Sequence, residues 1–157
     1  MSRNSGEELF HQASSAWDAG EFELAYKLFI SASNKGDIGS MVNVGYFLDE
    51  GIGVDANKVE ALRWYRRAAI RGNASGRQNL AILYRELGNI RQAKKWFLKS
   101  LEAGDDDAAL HLAKIYLQGR TTKSQKWSRF FLEKTITSDQ VDKDDKKEAR
   151  ILLKQQA

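Results

Sequence analysis

The chain has 157 residues, a length that suits one domain, and its 42% hydrophobic and 29% charged residues are an ordinary soluble globular balance. It has neither proline nor cysteine, which excludes a disulfide framework, thiol catalysis and cysteine metal sites and suits a reducing cytoplasm. No apolar run is long enough to insert into a membrane, and the N-terminus with Arg3, Glu7 and Glu8 does not read as a secretory signal, so a cytoplasmic location is expected.

The elements follow from self-similarity, which sets the architecture before any local reading. In chain order the expected helices are 5–19 and 22–35, 38–50 and 56–71, 74–87 and 90–103, 106–118 and 122–137, with a capping helix at about 141–155. Three second helices carry one pattern, AYKLFISASNKGD from Ala25, ALRWYRRAAIRGN from Ala61 and AKKWFLKSLEAGD from Ala93. In each, an alanine is followed three and four residues later by large apolar residues (Leu28 and Phe29, Trp64 and Tyr65, Trp96 and Phe97), and the segment closes on Gly36, Gly72 or Gly104. Successive units are offset by 36 and 32 residues. The first helices share a second pattern: Val44-Gly45 with Leu48, Leu80-Ala81 with Tyr84, and Leu112-Ala113 with Tyr116. Ala13-Ser14 with Trp17 is its weaker version, and Gly20, Gly51, Gly88 and Gly119 follow in turn.

Positions i, i+3 and i+4 share one helix face, so each helix presents an apolar stripe. The small residues allow close helix approach, and the glycines end helices in a left-handed conformation. One helix pair cannot bury its stripe alone, whereas stacked neighbours can. The expected fold is therefore all-α, a single repeat domain over 1–157 with four antiparallel pairs (5–35, 38–71, 74–103 and 106–137) and a polar cap. The fourth pair fits the register only with a shift. Trp17, Trp64, Trp96, Trp127, Tyr84 and Tyr116 are expected mostly in the core.

The net charge of +4 is unevenly distributed. Residues 1–57 carry a balance of −6, residues 58–99 one of +9, and residues 100–157 one of +1. An acidic partner would be steered to the middle.

No constellation points to catalysis, a cofactor or a metal. His11 and His111 are about three repeats apart. Asp105, Asp106 and Asp107 precede a helix, where they are expected to cap it. Gly51-Ile52-Gly53 lacks the lysine and hydroxyl of a phosphate loop and reads as a turn. Glu7 and Glu8 are adjacent on a helix and point about 100° apart, so they share no site.

Residues 40–73, SMVNVGYFLDEGIGVDANKVEALRWYRRAAIRGN, resemble a Sel1-like repeat. The pair Val44-Gly45, the loop Gly51-Ile52-Gly53-Val54, then Ala61, Trp64, Ala68-Ala69 and Gly72 carry the resemblance. The other pairs lack the loop: Gly20 to Ala25 and Gly88 to Ala93 span five residues, against ten from Gly51 to Ala61, which is closer to tetratricopeptide repeats. The resemblance covers about residues 5–137. It implies a right-handed superhelix, a solenoid whose first helices line a concave face and second helices a convex one. It also implies a non-catalytic protein–protein interaction module.

Two surfaces are candidates for the partner. Gln12, Asn43, Asn79 and His111 stand one residue before a core position on each first helix. Asparagine is a poor helix-interior residue, and its donors and acceptor suit clasping an extended backbone. Ser15, Tyr46, Ile82 and Lys114 widen this surface, and Arg77 and Arg85 add charge. The alternative role for these amides is to bond across to the next helix. The second candidate is the basic face of Arg63, Arg66, Arg67, Arg71, Arg91 and Lys95, with Lys94 and Lys99 beside it. The expected function is that of an adaptor for a protein or peptide, as a monomer or weak dimer. The alternatives are a bacterial immunity protein that neutralises a toxin effector, and weak nucleic-acid binding through the basic middle, which the acidic N-terminal third disfavours.

Overall fold

The computed structural model describes residues 5–156, and the described residues form nine α-helices and no strand. They are α1 (Gly6–Asp18), α2 (Phe22–Asn34), α3 (Ile38–Glu50), α4 (Lys58–Ile70), α5 (Ala74–Glu86), α6 (Ile90–Glu102), α7 (Ala108–Leu117), α8 (Thr122–Thr137) and α9 (Lys143–Lys154). Every expected helix is present, and each end lies within two residues of its expected place. Chain contacts divide the protein into two compact units, Met1–Leu83 and Tyr84–Ala157.

Unit 1 begins with a capping box. The Glu8 N–H donates to Ser5 Oγ (3.1 Å) and the Ser5 N–H donates to Glu8 Oε2 (2.8 Å), so a Ser-x-x-Glu sequence satisfies two N-terminal donors at once. The α1–α2 pair is antiparallel, because Phe10 near the start of α1 meets Phe29 late in α2 (5.9 Å between centroids) and Trp17 meets Phe22 (6.4 Å). Trp17 also lies on Tyr46 and Phe47 of α3. Ala13, Ala25, Phe29, Val44 and Phe47 are buried in this core.

The α3–α4 pair depends on a missing side chain. A Cβ on Gly45 would stand 2.6 Å from the Tyr65 ring, so glycine is what lets the buried tyrosine lie against α3. Tyr65 donates to Asp49 (3.5 Å), and Lys58 closes the same end of the pair on Asp49 at 2.6 Å. Gly51 and Gly53 between the two helices have φ of +72° and +63°. A Cβ on Gly53 would come within 2.6 Å of the Phe22 backbone, so this loop turns left-handed and packs on the start of α2. Gly76 of α5 repeats the close approach: its Cβ would lie 2.7 Å from that of Ala68.

In unit 2, α7 and α8 are antiparallel. Tyr116 at the end of α7 stacks on Trp127 near the start of α8, and Asp106 before α7 binds the far end of α8. The acidic run differs from its expected capping role. Asp107 makes no side-chain cap bond, and Asp106 instead accepts from Ser138 Oγ (2.7 Å) and pairs with Lys134 (3.1 Å). Gly119, expected to end α7 in a left-handed turn, has no positive φ; a Cβ there would clash with Ser124. Helix α9 covers unit 2 through the buried Ala149, the Lys114–Glu148 ion pair (2.9 Å) and a bond from Gln156 Nε2 to Ser128 Oγ (3.0 Å).

Candidate functional site

The amide positions behave differently in the two units. In unit 1, Asn43 sits on the half-buried side of α3 and lines a cavity of about 240 Å³ with Ser14, Trp17, Asp18 and Phe29. Neither Asn43 nor Asn79 makes a side-chain hydrogen bond to another described residue, and neither has a fully enclosed, unpartnered amide atom. Their donors and acceptors are therefore open to an incoming group. Tyr46, one turn along α3 from Asn43, is exposed and stacks on Trp17 at 5.8 Å with 20° between planes. This places an aromatic wall beside the Asn43 cavity. Gln12 is exposed on α1.

In unit 2 the corresponding residues are engaged within the protein. Arg85 Nη1 donates to His111 Nδ1 (3.0 Å), and the His111 ring stacks on Phe97 (4.7 Å, 14°). Burial, then the charges of Arg85 and Lys114, push His111 down to about 4, with Glu148 opposing. Lys114 pairs with Glu148 of α9.

The basic candidates also divide. On α4, Arg63 pairs with Glu60, Arg67 lies over Trp64 (4.3 Å to the centroid), and Arg71 Nη1 donates to the Arg67 carbonyl (3.1 Å). Arg66 is exposed. In unit 2, Arg91 and Lys95 line a shallow cavity with Lys94, Lys99 and Tyr116.

Of the aromatic residues expected in the core, Trp96 is buried, and Trp17, Trp64, Tyr84 and Tyr116 are half-buried. Trp127 is 41% exposed, and its neighbour Phe130 is 51% exposed. Trp127, Phe130 and Phe131 share one face of α8, yet of the three only Phe131 is buried. The register shift of the fourth repeat was the sequence signal for this.

No described helix is long and apolar enough to cross a membrane, and the described residues contain no cluster of three or more histidine or carboxylate groups placed to hold a metal ion.

No curated protein matches the chain. It is similar to a protective antigen present in uropathogenic Escherichia coli strains that displays an SLR fold, with 28% identity and a TM-score of 0.73, covering 82% of this chain and 30% of that one. A Sel1 repeat protein from Oxalobacter formigenes matches at 23% identity and TM-score 0.71, covering 94% and 62%. A tetratricopeptide repeat protein from Parabacteroides merdae matches at 19% and 0.75, covering 96% and 59%. The last two likenesses carry the fold alone. The chain spans less than two thirds of each of these proteins. Sel1 and tetratricopeptide-like repeats generally mediate protein–protein interaction and are typically non-catalytic. The Sel1 repeat model matches residues 21–37, 38–73 and 79–105, more than half of the sequence, and the chain therefore belongs to the Sel1 repeat family.

Proposed function

We propose that the chain is a cytoplasmic adaptor that holds an extended segment of another protein on unit 1, with Asn43 and Asn79 as its backbone clasps. The observation that carries this reading is the uncommitted amide of Asn43 beside a cavity bounded by Trp17 and Asp18. An extended segment offers alternating N–H and C=O groups, and a carboxamide pairs with both. The Tyr46–Trp17 stack supplies an apolar edge for a side chain of that segment. Gln12 provides a further amide on α1.

The test is affinity capture from native lysate with mass spectrometry, comparing the wild-type chain with Asn43→Ala/Asn79→Ala. A stoichiometric partner that the double variant loses supports the reading. A partner held equally by both proteins overturns it. The identity of that partner separates an adaptor from an inhibitor of a toxin effector, which requires a folded partner.

A further inference from the structure

We propose that unit 2 carries a second binding surface, formed by the basic face of α6 and the exposed rings of α8, that takes an acidic protein segment anchored by an apolar side chain.

Four cations of α6, Arg91, Lys94, Lys95 and Lys99, line one cavity of about 440 Å³ against a single carboxylate, Glu102. Crowded like charges repel one another, and an incoming anionic segment relieves that repulsion. Leu98 and Tyr116 add apolar surface to the same cavity. Lys94 Nζ lies 5.2 Å from the centroid of the Tyr116 ring, which in turn stacks on Trp127 at 6.2 Å. Tyr116 thus joins the basic cavity to the exposed Trp127 and Phe130. On α8, Lys123, Lys126, Trp127 and Phe130 follow at intervals of three, one and three, which places them on one face. Aromatic side chains and arginine are enriched at protein interfaces, whose rim is polar.

The geometry favours protein over nucleic acid. Bases bind by stacking on open ring faces. Here Tyr116, Trp127 and Phe131 already stack on one another at 17–28°, and Phe130 meets Trp127 edge-on at 89°. The rings thus already have partners among themselves, and the exposed parts of Trp127 and Phe130 suit an aliphatic or aromatic side chain. A membrane surface would need the whole apolar face of α8 to be free, yet Phe131 and Leu132 are buried.

The test is selection of displayed random peptides on the full chain, followed by affinity measurement for one synthesised winner. Enrichment of Asp and Glu around a Leu, Phe or Trp is expected. Affinity should fall about tenfold or more in Arg91→Glu/Lys95→Glu and again in Trp127→Ser/Phe130→Ser, and should weaken with added salt. Asn43→Ala/Asn79→Ala, in the other unit, should leave it unchanged, so this surface and the unit 1 clasp fail separately. Arg91→Ala/Lys95→Ala replaces the reversal pair if circular dichroism shows that the latter does not fold. The proposal is overturned if the winners carry no acidic bias or if both variants bind them normally. It is equally overturned if oligothymidine or phosphatidylserine vesicles bind the wild-type chain more tightly than the peptide and lose binding in the same variants.

Discussion

Arg85 and His111 are bound to each other, the guanidinium donating to Nδ1 at 3.0 Å while the imidazole lies flat on Phe97. Because arginine only donates, Nδ1 must accept, and the ring is neutral with its proton on Nε2. Burial first, and then the charges of Arg85 and Lys114, hold its pKa near 4. A half-buried neutral histidine is therefore part of how unit 2 is held together.

This relationship predicts a pH dependence. The unfolded histidine takes up a proton near its ordinary value of 6.5, whereas the folded one does so only near 4. Between these values the unfolded state binds more protons, so stability falls as pH drops. The His111 contribution is intact above about pH 6.5, and on the order of 2–3 kcal/mol is lost by pH 4. Urea unfolding at pH 7, 5.5 and 4 should show a falling midpoint. His111→Gln, which can still accept from Arg85, should flatten that slope, and an unchanged slope would contradict the assignment.

Gly45→Ala places a methyl group 2.6 Å from the buried Tyr65 ring. The core must shift, at a cost of about 1–3 kcal/mol. Thermal unfolding measures this. In the same protein, Tyr65→Leu should recover part of the loss, because the clash is with the ring.

Asp107 is held above the usual carboxylate range by burial and by the charges of Asp142, Asp105 and Asp106. Its charge therefore works against the fold at neutral pH, and the penalty fades as pH falls through its raised value. Asp107→Asn should raise the melting temperature by about 1–2 °C at pH 7 and by less at pH 4. An equal gain at both values would mean that charge is not the cause.

Helix α9 has one buried residue within it, Ala149. Ala149→Arg should push the helix off unit 2 at a cost of roughly 2 kcal/mol. Hydrogen exchange should then rise across Lys143–Lys154 while α8 stays protected. Glu148→Ala removes only a half-exposed ion pair and should change exchange far less.

Helix number, helix ends and pairing were legible in the sequence because they follow from local chemistry. The spacing of Ala61, Trp64 and Tyr65 and the closing glycines act within one or two helical turns. The family was legible for the same reason, through the Gly51–Val54 loop and the residues that follow it. Side-chain fate was not. Asn43, Asn79 and His111 hold one repeat position, yet only a structure with Arg85 and Phe97 in place shows His111 engaged while the two asparagines remain open. Asp106 reads as a cap until Ser138 and Lys134 arrive from the far end of α8. Trp127 reads as core, yet packed against Tyr116 and Phe131 it stays 41% exposed. Periodicity sets which way a residue faces along its own helix. What it meets there depends on helices distant in sequence, and only their packing decides it.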